Sequence, residues 1–285
     1  MEQKKVTILD LKEKKARGEP ITMLTAYDYP TGLLVDRAGI DVALVGDSLA
    51  MVVLGHENTI SVTMEEMLHH CRAVARGARR PLLVGDLPFM SYQVDEREAI
   101  RNAGRFLKEG GMDVVKLEGG SELVHTVRAI VEAGIPVMGH IGLTPQTISK
   151  LGGYRVQGKD LTAARALIDD AQSLEQAGAF SIILEAIPSP VAQLITQQVG
   201  VPTIGIGAGP GCDGQVLVIH DLIGLFDRFV PKFVKQYAKI SPIILEALTS
   251  YRDEVIAGTF PGPEHGYEVS EEVLTALLKE FGEWR

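Results

Sequence analysis

Val42-Ala-Leu-Val-Gly-Asp47 and Leu82-Leu-Val-Gly-Asp86 are two copies of one phrase, a short β-rich apolar run that closes on glycine and aspartate. Three related runs, Thr22-Met-Leu-Thr-Ala-Tyr-Asp28, Val114-Val-Lys-Leu-Glu118 and Ile182-Ile-Leu-Glu185, also end on an acid. Short apolar runs without polar alternation read as strands buried on both faces, as in a parallel sheet. Such sheets keep their chemistry at the C-terminal strand ends, where these acids stand. Several carboxylates converging on one mouth repel each other unless something positive lies between them. A divalent cation is the reading that follows.

Outward from these runs, a second phrase repeats: a helix-compatible segment, a glycine stop, then a strand. Asp36-Arg-Ala-Gly-Ile-Asp41 leads into Val42, Lys108-Glu-Gly-Gly-Met-Asp113 into Val114, and Glu132-Ala-Gly-Ile-Pro136 into Val137. Glu175-Gln-Ala-Gly-Ala-Phe180 and Gln197-Gln-Val-Gly-Val-Pro202 do the same before Ser181 and Thr203, and Arg76-Gly-Ala-Arg-Arg-Pro81 is a looser copy. Glycine just past a helix accepts the left-handed conformation that closes it. With an opening strand near Thr22 and a last one at Gln215-Val-Leu-Val-Ile-His220, eight strands are expected. That count in this length fits an α/β fold of the (β/α)8 TIM-barrel type better than an open doubly wound sheet. We read residues 1–285 as one barrel domain, with the barrel over about 20–240 and C-terminal helices over about 241–285. An extra helix over Val6 to Arg17, with Thr7 as cap, precedes the first strand; Pro242 to Ala257 and Ser270 to Phe281 read as the two terminal helices. Gly55 to Val62 and Leu151 to Asp160 are the stretches most like active-site loops, and Arg79-Arg80 reads as a solvated turn.

Composition excludes several classes. Hydrophobic residues make up 46% of 285, enough for a large core and too many for disorder. Twenty-eight basic against 37 acidic residues give a formal charge of −9, which argues against a broad nucleic-acid or anionic-membrane surface. Cys71 and Cys212 are too few for a disulfide framework, so a reducing cytoplasm is the default. The start, Met-Glu-Gln-Lys-Lys-Val-Thr, lacks the apolar core of a signal peptide, and no apolar stretch reaches a membrane span.

Asp47 and Asp86, each following glycine at a strand end, suit a hard cation with oxygen ligands and open water positions, Mg²⁺ rather than Zn²⁺. Either alone reads better as a helix N-cap; the matched pair favours metal. Lys116 and Glu118 lie two apart on one strand and point the same way. A lysine in an apolar strand needs a partner. A local ion pair would serve, but the reading we favour has Lys116 meeting an anionic substrate group and Glu118 supporting the metal or its waters. Glu185, followed by Ile187-Pro-Ser-Pro190, reads as a general base held against apolar walls, with an ion pair or cap as the bland alternative. His140, in Met138-Gly-His-Ile-Gly142, serves either a substrate oxygen or a core backbone group. Gly205-Ile-Gly-Ala-Gly209 lacks the last glycine of a dinucleotide loop, and His69-His70-Cys71 places neighbours on different helix faces.

At these residues the chain resembles the 3-methyl-2-oxobutanoate (ketopantoate) hydroxymethyltransferase family. The matching stretches are Thr25-Ala-Tyr-Asp28, Val45-Gly-Asp-Ser-Leu49, Gly85-Asp-Leu-Pro-Phe89, Val115-Lys-Leu-Glu-Gly-Gly120 and Gly139-His-Ile-Gly-Leu-Thr-Pro-Gln146. Leu184-Glu-Ala186, Gly205-Ile-Gly-Ala-Gly209 and His220-Asp-Leu-Ile-Gly-Leu225 continue it in family order. The resemblance implies a barrel related to the phosphoenolpyruvate/pyruvate barrels, Mg²⁺, and one-carbon transfer from 5,10-methylenetetrahydrofolate to 3-methyl-2-oxobutanoate. The product would be 2-dehydropantoate, on the route to pantothenate and coenzyme A. It implies Asp47, Asp86 and Glu118 at the metal, and Ser48 and Lys116 on the oxo acid with Asp47 and Asp86 near it. Glu185 would be the proton acceptor. It also implies small-molecule partners only, a cytoplasmic location and a homodecamer. The nearest rivals are a Mg²⁺-dependent 2-oxo-acid lyase or mutase on the same barrel; a lyase would be expected to carry a cysteine loop after a mid-barrel strand, and neither Cys71 nor Cys212 sits in one.

Overall fold

A computed structural model of the chain describes residues 4–226 and 228–282. It divides into two compact units, Met1–Ala238 and Lys239–Arg285. The first holds eight strands: β1 Ile21–Thr25, β2 Val42–Val45, β3 Leu82–Asp86, β4 Val114–Glu118, β5 Val137–Gly142, β6 Ser181–Glu185, β7 Thr203–Ile206 and β8 Gly214–Leu217. They close into a barrel in sequence order, and every neighbouring pair is parallel, β1 with β8 included. The expected α/β barrel is the observed one. The last strand differs most from the sequence reading. It starts at Gly214 and stops at Leu217, because the Thr25 hydroxyl takes the Ile219 N–H at 2.9 Å and the chain turns into a short helix, Ile219–Leu222.

Period-two alternation sorts each strand between two cores. Ile21, Met23, Val42, Leu44, Leu82, Val84, Val114, Met138, Ile183, Ile204 and Val216 fill the barrel interior. Their neighbours in sequence, such as Ala43, Leu83, Val115, Leu117, Ile182 and Leu184, face the surrounding helices. Gly85 is one outward position where a side chain has no room, because a Cβ there would meet the Phe106 ring of helix Glu96–Lys108.

The helix before β1 is Ile8–Arg17, opened by a reciprocal Thr7–Asp10 capping box. Its single fully buried residue, Leu11, joins the interior cluster and stops the barrel's N-terminal end. Three lysines around it reach three aspartates, each standing one residue before a strand. Lys14 meets Asp41 at 2.8 Å, Lys5 meets Asp113 at 2.6 Å and Lys15 meets Asp213 at 2.9 Å. Each aspartate also takes a backbone N–H from the preceding strand of the barrel: Thr22 for Asp41, Leu83 for Asp113 and Thr203 for Asp213. Arg79-Arg80 is not a free solvated turn: both backbone N–H groups donate to Asp36.

The second unit contains helices Ile240–Ala257 and Glu271–Phe281, the latter capped by Ser270. Among the described residues no helix is long and apolar enough to cross a membrane.

The Asp41 carboxyl is held below its ordinary range. Burial opposes this, but Lys14 and the Thr22 amide and hydroxyl outweigh it. A depressed folded value adds stability that is present above the unfolded value, about 3.9, and is lost as pH falls through the folded one. Asp41→Asn is therefore expected to lower unfolding stability at pH 7 by about 1.5–3 kcal/mol. Denaturant titrations should show this gap to wild type narrowing once the pH drops below about 4.

Candidate active site

Strand register assembles the mouth of the barrel. Asp86 at the end of β3 lies beside Lys116 on β4, Glu118 lies beside His140 on β5, and Gly142 lies beside Glu185 on β6. Lys116 and Glu118 share the inward parity of Val114, and His140 shares that of Met138. Lys116 Nζ contacts both Asp86 oxygens at 2.8 Å and stands 3.7 Å from Glu118 Oε1. His140 bridges two acids, with Nδ1 3.5 Å from Glu118 and Nε2 3.2 Å from Glu185. Neither ring nitrogen makes an aligned hydrogen bond, so these are ion-pair contacts. Asp47, in the turn after β2, donates its N–H to Asp86 Oδ2 at 3.1 Å.

Burial sets the electrostatics. Burial raises the Asp47 carboxyl well above its ordinary value, and the charges of Asp86 and Glu118 raise it further. Burial also raises Asp86, against the pull of Lys116. In Glu118 burial pushes the same way but loses to Lys116 and His140, so its carboxyl is lowered. Burial and Lys116 oppose a proton on His140, yet Glu118 and Glu185 prevail and push it up to about 9. Lys116 stays charged: burial disfavours the ammonium, and Asp86, Glu118 and Asp47 more than compensate.

Ser48 lies at the same mouth, half-buried, with its hydroxyl 2.8 Å from the Tyr27 hydroxyl. Of the five acids that end apolar runs, Asp28 alone is elsewhere: it is exposed and caps helix Tyr29–Arg37. Sequence reasoning missed Gln146 and Tyr92. Gln146 Nε2 donates to Asp47 Oδ2 at 3.0 Å and to the Leu87 carbonyl at 2.9 Å, while its backbone N–H donates to Glu118 at 3.0 Å. The Tyr92 hydroxyl accepts the Glu118 N–H at 3.2 Å and lies 2.8 Å from Gln146 Oε1. Gln146 stood at the end of a quoted motif, but nothing in its spacing shows that it ties β2, β3 and β4 together. Glu185 is followed by Ala186 at φ 49°, a left-handed conformation unusual for alanine and often kept where a site needs it. Gly142, at φ 97°, is required there, since a Cβ would strike the Glu185 carbonyl.

Asp47, Ser48, Asp86, Lys116, Glu118, His140 and Glu185 line one cavity of about 410 Å³ that also takes in Thr59 and Tyr154, one from each expected loop. A larger hollow of about 860 Å³ lies outside the barrel against β1 and β8 and contains none of the predicted site residues. In kind, the donor set fits a hard divalent cation: Asp47, Asp86 and Glu118, with Glu185 beside them, set four carboxyl groups against two cationic side chains, Lys116 and His140. Among the described residues no three His, Cys, Asp or Glu side chains close on one point, so a cation taken here would complete its shell with substrate oxygens and water.

A closed parallel barrel with buried acids, a lysine and a histidine at its C-terminal mouth is an enzyme of the TIM-barrel class. Two solved barrels resemble it in fold. Phosphonopyruvate hydrolase in complex with oxalate and Mg²⁺ matches with TM-score 0.61 and 12% identity, over 98% of this chain and 100% of that one. The 2,3-dimethylmalate lyase of the PEP mutase/isocitrate lyase superfamily matches with TM-score 0.56 and 15% identity, over 96% and 95%. In sequence, residues 5–263 match the ketopantoate hydroxymethyltransferase family. The 3-methyl-2-oxobutanoate hydroxymethyltransferases of Syntrophobacter fumaroxidans and Syntrophomonas wolfei are 61% and 57% identical, covering 94% and 96% of this chain and 94% and 99% of their own. The chain belongs to the ketopantoate hydroxymethyltransferase family and is a transferase.

Gln146→Leu removes the donor that orients Asp47 while keeping side-chain bulk. Turnover measured at saturating metal should fall about 10- to 100-fold, the usual cost of losing a partner that orients a ligand.

Proposed function

We propose that the chain transfers a hydroxymethyl group from 5,10-methylenetetrahydrofolate to 3-methyl-2-oxobutanoate, giving 2-dehydropantoate. One observation carries this reading: a buried acid cluster, in which the charges of Asp86 and Glu118 raise the Asp47 carboxyl, shares a cavity with the His140–Glu185 pair. A site of that kind suits an acid whose adjacent C–H must be ionised beside a cation. The family supports the substrate pair, and the oxalate–Mg²⁺ complex of a barrel of like fold supports a metal beside a small dicarbonyl anion. The same resemblance underlies the cytoplasmic location and decameric assembly included in this reading.

Asp47 and Asp86 would hold Mg²⁺, with Glu118 within reach of its waters. When bound, the ion supplies Lewis acidity to the carboxylate and ketone oxygens of the oxo acid. Lys116 and the Ser48 hydroxyl orient the substrate and offset its charge. Glu185 takes the C3 proton, and the C–H electron pair passes into the enolate. His140, 3.2 Å from Glu185 Oε2 and braced by Glu118 on its other side, fixes the direction of that base. The enolate carbon bonds to the methylene carbon; of its two carbon–nitrogen bonds to folate, one breaks at ring opening and the other as water brings in the hydroxyl oxygen, and each nitrogen takes up a proton, one from Glu185 and one from water.

Proton NMR of 3-methyl-2-oxobutanoate in D₂O tests this directly. Wild type should wash out the C3–H signal in a Mg²⁺-dependent way and give hydroxymethyl resonances only when the folate donor is present. Glu185→Gln should still bind the oxo acid and Mg²⁺ but exchange about 10²- to 10⁴-fold more slowly. Near-normal exchange in that variant would remove Glu185 from its role.

A further inference from the structure

The cavity has a stretch of wall that the oxo-acid chemistry leaves unused. Besides the acid cluster its lining includes Val218, Asp221, Phe226, Phe229, Lys232 and Phe233. Phe229 is 68% exposed and Phe233 39%, although both rings line a cavity. Phe233 is seated against the bare backbone of Gly207, where a Cβ would collide with its ring. Among these groups Asp221 is only 8% exposed. Among the described residues no donor reaches its carboxylate. Burial alone, with no neighbouring charge or hydrogen bond contributing, pushes its carboxyl up to about 6.

A buried carboxylate without a donor is costly, and proteins seldom keep one that nothing satisfies. The short helix Ile219–Leu222 offers no structural partner for it. Two oxygens side by side accept best from two parallel N–H groups on a planar partner. Flat, apolar, aromatic walls beside such an acceptor fit a nitrogen heterocycle better than a small aliphatic acid. The oxo acid has no N–H to donate, and its own negative charge disfavours this stretch.

We infer that Asp221 is the recognition residue of a subsite for the reduced pterin of the one-carbon donor, accepting the ring N–H and exocyclic amino group of its amino-pyrimidinone edge. The inference rests on the folate donor proposed above. The pterin face lies against the phenylalanine wall, and its reactive methylene points back along the shared cavity toward Glu185. Asp221 thereby selects the donor.

Equilibrium binding of tetrahydrofolate, together with C3–H exchange of the oxo acid in D₂O, tests the subsite. Asp221→Asn should weaken tetrahydrofolate binding about 10- to 100-fold and raise KM for methylenetetrahydrofolate alike, with the loss falling on the donor rather than the oxo acid. Wild type should bind an analogue lacking the 2-amino group at least about tenfold more weakly, and Asp221→Asn should lose most of that discrimination. The analogue comparison in wild type holds even if the variant folds poorly. Equal binding of tetrahydrofolate by wild type and Asp221→Asn, or no penalty for the analogue in wild type, would overturn the subsite while leaving the proposed reaction intact. Wild type that exchanges the C3 proton yet binds no tetrahydrofolate would overturn the subsite together with the donor.

Discussion

The ammonium of Lys116 is the constraint on which the mouth of the barrel depends. It is buried among Asp86, Glu118 and Asp47 and is tolerated only because strand register delivers those acids to it. Asp86 stands directly beside it on β3, and Glu118 lies two residues further along its own strand. A register slip of one residue would turn Lys116 into the apolar shell of helices and send Leu117 into the acid cluster. Closing the barrel removes that freedom, since every strand is held on both sides.

From this follows a division of charge. One ammonium satisfies Asp86 and stands near Glu118, His140 spans Glu118 and Glu185, and Asp47 is left with an amide donor from Gln146. Asp47, the acid without an ion pair, lines the cavity together with Asp86, Glu118 and Glu185. The helical shell beneath the mouth contributes shape instead: Gly85 and Gly142 let Phe106 and the Glu185 backbone pack where any side chain would separate them.

The barrel was legible in the sequence because its strands are buried on both faces and its helices stop at glycine, two signals that need no tertiary knowledge. The shared direction of Lys116 and Glu118 was legible for the same reason, from strand parity alone. The limits are equally physical. Asp28 matched the pattern of a strand-ending acid, but its run continues three residues past β1, and there the carboxylate caps a helix. β8 read as longer than it is because Val218 and Ile219 are apolar in a turn as they would be in a strand. Gln146 and Tyr92 occupy turns whose importance comes from meeting other strands in space, 99 residues from Gln146 to Asp47, and no local spacing encodes that.

The lysine–aspartate pairs under the barrel bear on how the chain reaches this structure. Lys14 finds Asp41 27 residues away, but Lys15 must wait for Asp213, 198 residues later. The helix that stops the bottom precedes every barrel strand in the chain, and its anchoring is completed only when β8 arrives to meet β1. Contacts of such sequence separation form late, because the intervening chain must first give up its freedom. Until then Leu11 and the inner faces of β1 and β2 face water with half their partners missing. An arc of strands still lacking β8 would carry two open edges able to pair with other chains, and closure of the ring removes both.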